Sequence, residues 1–450
     1  MGKMGRMGQI GRMRVAASAL SFLSLLSFLS LLSFLLLLSA DAAAQGVPFE
    51  QAIGNLSSPD AAVRLKAVQL LRDGAFPEAA VPIAKLVTDP RDEVQLEAIA
   101  AELNIFLAEK IVTRKRVAGI VEVRNAIAAE AAFTAGPSVL GAQSVPLEVL
   151  AALRGAARDE NPRVGLEAIY AFGVLAVEPA GSVRRELLRT TGPEVALQIG
   201  AADPAMRYAA LRVMGRVFAH RAGDEEIEST VGDAVVAALN DSDRAVKGAA
   251  MDALGAMRYG RGVQALTDLF QYYGKGESAE AAFDALARIA SAGSVPLFTA
   301  QLASKSSSLR GTAIEGLARA GDPATIADIQ AAAGADRSDT IGLAVAFANA
   351  RLANGSLDRI VEAMTKSKLR SQARDYLVEL APGRSEAFRR HLMDPDARIR
   401  LEMVGVLDRA GDPAALPLVE SLATDKDPQV ARAAERATAR LRAVLNRPAG

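Results

Sequence analysis

The chain has 450 residues, 50% of them hydrophobic, 23% charged and 4% aromatic, and its 52 basic and 52 acidic side chains cancel; this is the composition of a globular chain, not a disordered one. Cysteine is absent and histidine occurs twice, which excludes disulfides, thiolate nucleophiles, iron–sulfur clusters and cysteine-ligated zinc, and leaves little for His-based metal sites or triads.

The first element is a targeting segment. Lys3, Arg6, Arg12 and Arg14 precede an uncharged apolar stretch, Val15 to Ala40, and Ala42 and Ala44 follow at the spacing of an Ala-x-Ala cleavage site. That order is the order of a secretory signal over residues 1–44. The protein is therefore expected to be exported, periplasmic or extracellular, with cleavage after Ala44. The alternative is an uncleaved anchor over residues 15–40, because the stretch exceeds the ~20 residues that span a bilayer. Without residues 1–44 the chain keeps 48 basic and 51 acidic side chains. It lacks the basic footprint of a nucleic-acid binder, so no nucleic acid is expected, and contact with a membrane is expected only through the leader.

Past residue 45 one string recurs: an Asp, Asn or Ser, often followed by Pro, then an aliphatic residue with Arg after it, then an Ala-rich run. The clearest copies are Ser58-Pro59 to Val63-Arg64, Asp89-Pro90 to Val94-Gln95, Asn161-Pro162 to Val164, Asp203-Pro204 to Met206-Arg207, Asp241 to Val246-Lys247, Asp394-Pro395 to Ile399-Arg400 and Asp427-Pro428 to Val430. Leu309, Ile341 and the weaker Val123-Arg124, Ala281 and Leu369-Arg370 bring the anchors to twelve, most of them near 30 residues apart. Such a period is the mark of a repeat array. Each unit reads as two helices. The residue before Pro caps a helix and Pro opens it; apolar residues follow at helical spacing, as in Val63, Ala67, Leu70 and Leu71. Gly74, Gly321 and Gly411, 11 or 12 residues past their anchors, are expected as left-handed caps. Second helices carry an internal Pro, as in Val81-Pro82-Ile83, Val145-Pro146-Leu147, Val295-Pro296-Leu297 and Leu416-Pro417-Leu418. Strand signals are nearly absent.

These strings resemble HEAT repeats, specifically the short HEAT-like repeats of phycobilin lyases, over about residues 50–442. The resemblance implies an all-α fold, an α-solenoid of stacked antiparallel helix pairs of the HEAT-like or armadillo type. The Pro-containing helices would form its convex layer and the helices at the anchors its concave layer. The expected organisation is a leader at 1–44, N-terminal repeats at 45–160 with an irregular stretch at about 105–160, a HEAT-like array at 161–442 and a tail at 443–450.

Functionally, the sequence points to a scaffold or adaptor that binds a protein or peptide along the concave face. It is expected to have no catalytic residues, cofactor or metal. The alternative is a lyase-like or chaperone-like helper for a modified partner, by analogy with bilin lyases. Two places are candidates for partner binding. Tyr272 and Tyr273 stand beside a Gly-rich turn, where Tyr offers contact area with few rotatable bonds. Arg114, Lys115 and Arg116 end the densest basic run; the competing reading is a solvated helix face balanced by Glu102, Glu109 and Glu122. His220 and His391 read as surface or helix-end residues.

Overall fold

A computed structural model of the chain describes residues 48–108, 115–117, 120–122, 128–135, 140–141, 143–176, 182–221, 226–334 and 338–445. The leader expected at 1–44, Glu109, Arg114 and the weak anchor Val123-Arg124 lie outside these residues.

The elements come in pairs. They are α1 (Phe49–Asn55) with α2 (Ala61–Gly74), and α3 (Ala80–Ala84) with α4 (Asp92–Phe106). An insertion follows, made of β1 (Lys115–Val117), β2 (Ile120–Glu122) and α5 (Ala128–Ala135). Pairing resumes with α6 (Leu147–Ala156) and α7 (Pro162–Leu175), α8 (Ser182–Ile199) and α9 (Pro204–Val217), then α10 (Ser229–Ala237) and α11 (Arg244–Met257). Next come α12 (Val263–Tyr273) and α13 (Glu277–Ile289), α14 (Val295–Gln301) and α15 (Ser307–Ala320), then α16 (Ile326–Gly334) and α17 (Asp339–Leu352). The stack ends with α18 (Asp358–Ala363) and α19 (Arg370–Leu380), α20 (Arg389–Leu392) and α21 (Ala397–Ala410), and α22 (Leu416–Glu420) and α23 (Pro428–Leu445). The second helix of each pair packs on the second helix of the next, from α7 through α9, α11, α13, α15 and α17. The protein is an all-α solenoid of helix pairs in sequential order.

Local chemistry explains the pairs. Asp60, Asn161, Asp203, Asp243, Ser306, Ser338 and Asp396 each cap a second helix by accepting a backbone N–H of its first turn. Most first helices are short, α8 with its 18 residues being the exception, and several begin as a 3₁₀ turn, with Pro296 and Pro417 in their opening turns, where the missing N–H costs nothing. Small residues let the second helices approach: a Cβ on Gly215 would lie 3.2 Å from the Ala253 Cα, and one on Gly255 would lie 3.0 Å from the Ala285 Cα.

Two expectations need correction. In Ser58-Pro59, Asp89-Pro90 and Asp394-Pro395 the residue before Pro is not the cap. It sits two residues ahead of the cap and accepts that residue's N–H instead, at 3.2, 3.0 and 2.8 Å. Gly321 and Gly411 are left-handed caps (φ 84° and 64°), whereas Gly74 is the last helical residue and Ala75 (φ 48°) makes the turn. Gly74 answers to packing: a Cβ there would meet the Phe76 ring at 2.2 Å. The strand content, expected to be nearly absent, amounts among the described residues to one antiparallel hairpin, β1–β2, which pairs Lys115 with Glu122. The described residues hold eleven helix pairs, and the twelfth anchor, Val123, lies outside them.

The insertion leaves and rejoins the stack at one point. Leu107 bridges Leu140, and the Gly141 N–H donates to the Phe106 carbonyl at 2.7 Å. A side-chain bond from Gln95 to Asp159 (2.8 Å) joins α4 directly to the start of α7, so these are neighbouring units with the insertion looped out between them. α5 then folds back onto α7.

Candidate binding face

At four of the anchors the residue that follows closes a seam. The Arg64 guanidinium grips Asp89 with two bonds (2.7 and 2.9 Å), Arg207 grips Asp241 likewise (2.7 and 2.9 Å), and Arg400 grips Asp425 (2.8 and 2.7 Å). Each arginine also donates to two carbonyls of its own turn, such as Ser58 and Pro59 for Arg64. One planar fork thus ties the turn of one unit to the cap of the next. Gln95 fills the same role toward Asp159.

A second set of arginines lies in the last turns of the second helices: Arg72, Arg216, Arg288, Arg319, Arg351 and Arg409, with Arg258 just past α11. Cations suit that end of a helix, where carbonyls are unpaired. Three of these converge on one carboxylate. Glu379 of α19 accepts from Arg258 at 3.0 Å and Arg319 at 3.0 Å, with Arg351 at 3.5 Å. Arg319 also pairs with Glu315 at 3.0 Å, and Glu315 accepts from the Tyr376 hydroxyl and from Gln372. The Tyr376 ring stacks on Phe347, which lies beneath the Arg319 guanidinium. Burial opposes ionisation of Glu379, yet Arg319, Arg258 and Arg351 outweigh it and hold the carboxyl below its ordinary range. Burial and then Glu315 push the Tyr376 phenol well above its own.

Arg258 and Glu379 are 121 residues apart, on α11 and α19, four units along the stack. In a curved stack, units that far apart meet only across the inside of the curve. The cluster therefore marks the concave side, and it closes that side at the C-terminal ends of the helices. Along this stretch the concave side is bridged by ion pairs. Farther toward the N-terminus the insertion does similar covering: the Phe133 ring of α5 lies against Arg212 and Arg216 of α9 (5.0 and 4.6 Å) and beside Tyr170.

At the opposite ends of α11 and α13 the face opens. A cleft of about 470 Å³ lies between their first turns, lined by Arg244, Lys247 and Met251 of α11, Glu277 and Ser278 of α13, and Tyr273. Lys247, Met251, Gly255 and Arg258 follow one another at helical spacing, so the cleft and the ionic cluster belong to one face. Tyr272 and Tyr273 are not on a loop, as their Gly-rich context led one to expect, but in the last turn of α12. Gly274 (φ 66°) and Gly276 (φ 85°) compress the connection to α13. Tyr272 is 82% exposed and meets Tyr273 edge-on at 5.2 Å, while Phe270 is buried against Phe283.

The structure does not bring the two sequence candidates together on one element. Lys115 and Arg116 belong to β1 of the insertion, not to a helix face, and Arg114 lies outside the described residues. Glu102, read as a balancing surface charge, is fully buried in α4 with neither carboxylate oxygen bonded. His391 is buried rather than superficial, 3.4 Å from Asp358, and its pKa is lowered by burial and by Arg390; His220 is exposed. Sequence reading missed the converging arginines. Their signal was a second period: Met206 to Arg216, Leu309 to Arg319, Ile341 to Arg351 and Ile399 to Arg409 are all ten residues. Among the described residues no cluster of three or more acidic or histidine side chains could hold a metal, and no helix is long and apolar enough to cross a membrane.

No protein-family model matches the chain, and no curated protein does. Solved structures that resemble it include an engineered protein of the Northeast Structural Genomics Consortium, 20% identical over 88% of this chain and 98% of its own, with a TM-score of 0.41. A designed armadillo repeat protein is 17% identical over 60% of this chain and 98% of its own, at a TM-score of 0.35. A second, in complex with the peptide (KR)4, is 16% identical over 60% and 98%, at 0.34. At such scores the architecture rests on the chain's own helix order and packing.

Proposed function

We propose that the protein is an exported, non-catalytic scaffold that holds a protein or peptide partner on the concave face of its helical stack. The observation that carries this reading is the asymmetry of that face. Its helix C-termini are closed by ion pairs around Glu379, whereas the N-termini of α11 and α13 stand apart over a cleft beside the exposed Tyr272. An exposed Tyr fixed on a helix is a contact residue prepared in advance: it offers a large surface at small entropic cost. The repeat stack supplies the rigid frame, because each unit is held by its neighbours. Export rests on the basic, then apolar, then Ala-x-Ala order of residues 1–44.

A photo-crosslinking residue placed at position 272, at the end of α12 beside the cleft, and separately at position 81 on α3, far from the cleft, tests the surface in cells. The reading expects a discrete cross-linked species from 272 and none from 81; the reverse pattern, or none from either, rejects it. Intact mass of the same chain tests export. A species lacking residues 1–44 is expected, and a cytoplasmic full-length chain contradicts it.

A further inference from the structure

The seam device of this fold is half present between α11 and α13. At four other anchors the side chain that follows reaches an acid two residues ahead of a later cap: Asp89, Asp159, Asp241 or Asp425. Lys247 follows Val246 and so stands at the cation position of α11. The cap of α13 is Gly276, and the residue two ahead of it, where the acid belongs, is Gly274. Among the described residues no carboxylate forms an ion pair with Lys247, although Asp241 lies near enough to feel its charge. Asp241 is taken by the two-point bond from Arg207, Asp243 by the N–H groups of Ala245 and Val246, and Glu277 by Arg244 at 2.6 Å. The missing acid leaves a space, the cleft of about 470 Å³ that Lys247 lines. That volume lies in the range of sites that take a few side chains rather than a whole domain.

Apart from Lys247, the cleft holds an ion pair that a competing anion can open: Arg244 and Glu277 are 75% and 89% exposed. With these two cations against one carboxylate, the lining has a net charge of +1. Its apolar part is the Tyr273 ring, with Tyr272 next to it and the buried Met251 beneath.

We propose that this cleft binds an acidic segment of the partner, an Asp or Glu whose carboxylate takes the ladder position at Lys247 while a neighbouring apolar side chain rests on the tyrosine pair. The site borrows the geometry that closes other seams within the chain and offers it to another chain. This inference rests on the scaffold reading above and adds the chemistry of what is held.

The test uses the chain without residues 1–44 and two dye-labelled decapeptides, one alternating Glu and Leu, the other Gln and Leu, followed by fluorescence anisotropy. The Glu peptide is expected to bind, to weaken as salt is raised, and to lose about tenfold in affinity in Lys247→Ala. Lys247→Arg is expected to retain binding, and Lys85→Ala on the convex layer to leave it unchanged. Circular dichroism of each variant verifies the fold. Equal binding of both peptides, unchanged affinity in folded Lys247→Ala, or no binding of the Glu peptide at about 1 mM overturns the inference. If position 272 still cross-links a partner under any of these outcomes, the scaffold reading survives and only the acidic-segment assignment falls.

Discussion

Glu102 shows how a single side chain can set the pH response of a chain whose net charge is near zero. It sits in α4, which is packed among α2, α3, α5 and α7, with no exposed surface and no hydrogen bond to either oxygen. Burial pushes its pKa up to about 9, so the folded protein holds this carboxyl protonated at neutral pH. The unfolded chain releases that proton near pH 4.5. Between these two values the folded state binds more protons, and stability falls as pH rises, levelling off above about 9. Glu102→Gln is expected to behave like the parent near pH 4 and to gain about 3 kcal/mol at pH 7, read as a denaturation midpoint at pH 4, 7 and 8.5. A parent protein whose stability does not decline over that range contradicts the assignment. Sequence counted Glu102 as a surface charge because its own helix gives no warning. Only the elements that pack around it do.

At the scale of the helix, the glycines separate two demands that look alike in a sequence. Gly321 and Gly411 serve backbone conformation, whereas Gly316 serves space: it lies inside α15, and a Cβ there would meet the fully buried Phe298 ring of α14 at 2.9 Å. Alanine raises helix propensity by about 1 kcal/mol over glycine, but overpacking a closed core costs roughly 1–3 kcal/mol. Packing should win. Gly316→Ala is therefore expected to destabilise the array by about 1 kcal/mol, and a stabilised variant in thermal or denaturant unfolding would show that Phe298 yields. Helix pairs, caps and the arginine after each anchor were legible, because all three act over one or two turns. The misplacement at Asp89 and Asp394 has a local cause as well. An Asp that accepts the N–H two residues on and one that caps a helix share a neighbourhood, and only the inter-unit arginine distinguishes them.

On the scale of the whole molecule, Glu379 joins α11, α15, α17 and α19, and so fixes the curvature of four successive steps of the stack. Arg258 is held at φ 51° where it reaches that carboxylate, a left-handed conformation that a non-glycine residue adopts at some cost. Removing the carboxylate would leave three partly buried guanidinium groups facing one another. Glu379→Ala is expected to lose roughly 3–5 kcal/mol and to open the superhelix, seen as a larger radius of gyration in small-angle scattering; an unchanged radius would mean that neighbour stacking alone sets the curve. The cleft between α11 and α13 is a property of the same scale, since it depends on how two units diverge at their N-terminal ends while their C-terminal ends are drawn together.

By itself the sequence determined the helix pairs, their order and the chemistry of their caps, because a cap, a turn and an apolar stripe are decided by residues within a few positions of one another. Tertiary structure alone decided which charges meet, which carboxyl is sealed from water and where the concave face is shut or open. Those outcomes depend on small rotations accumulated from unit to unit, and that sum brings Arg258 to Glu379 across 121 residues while leaving Lys247 without an ion pair among the described residues.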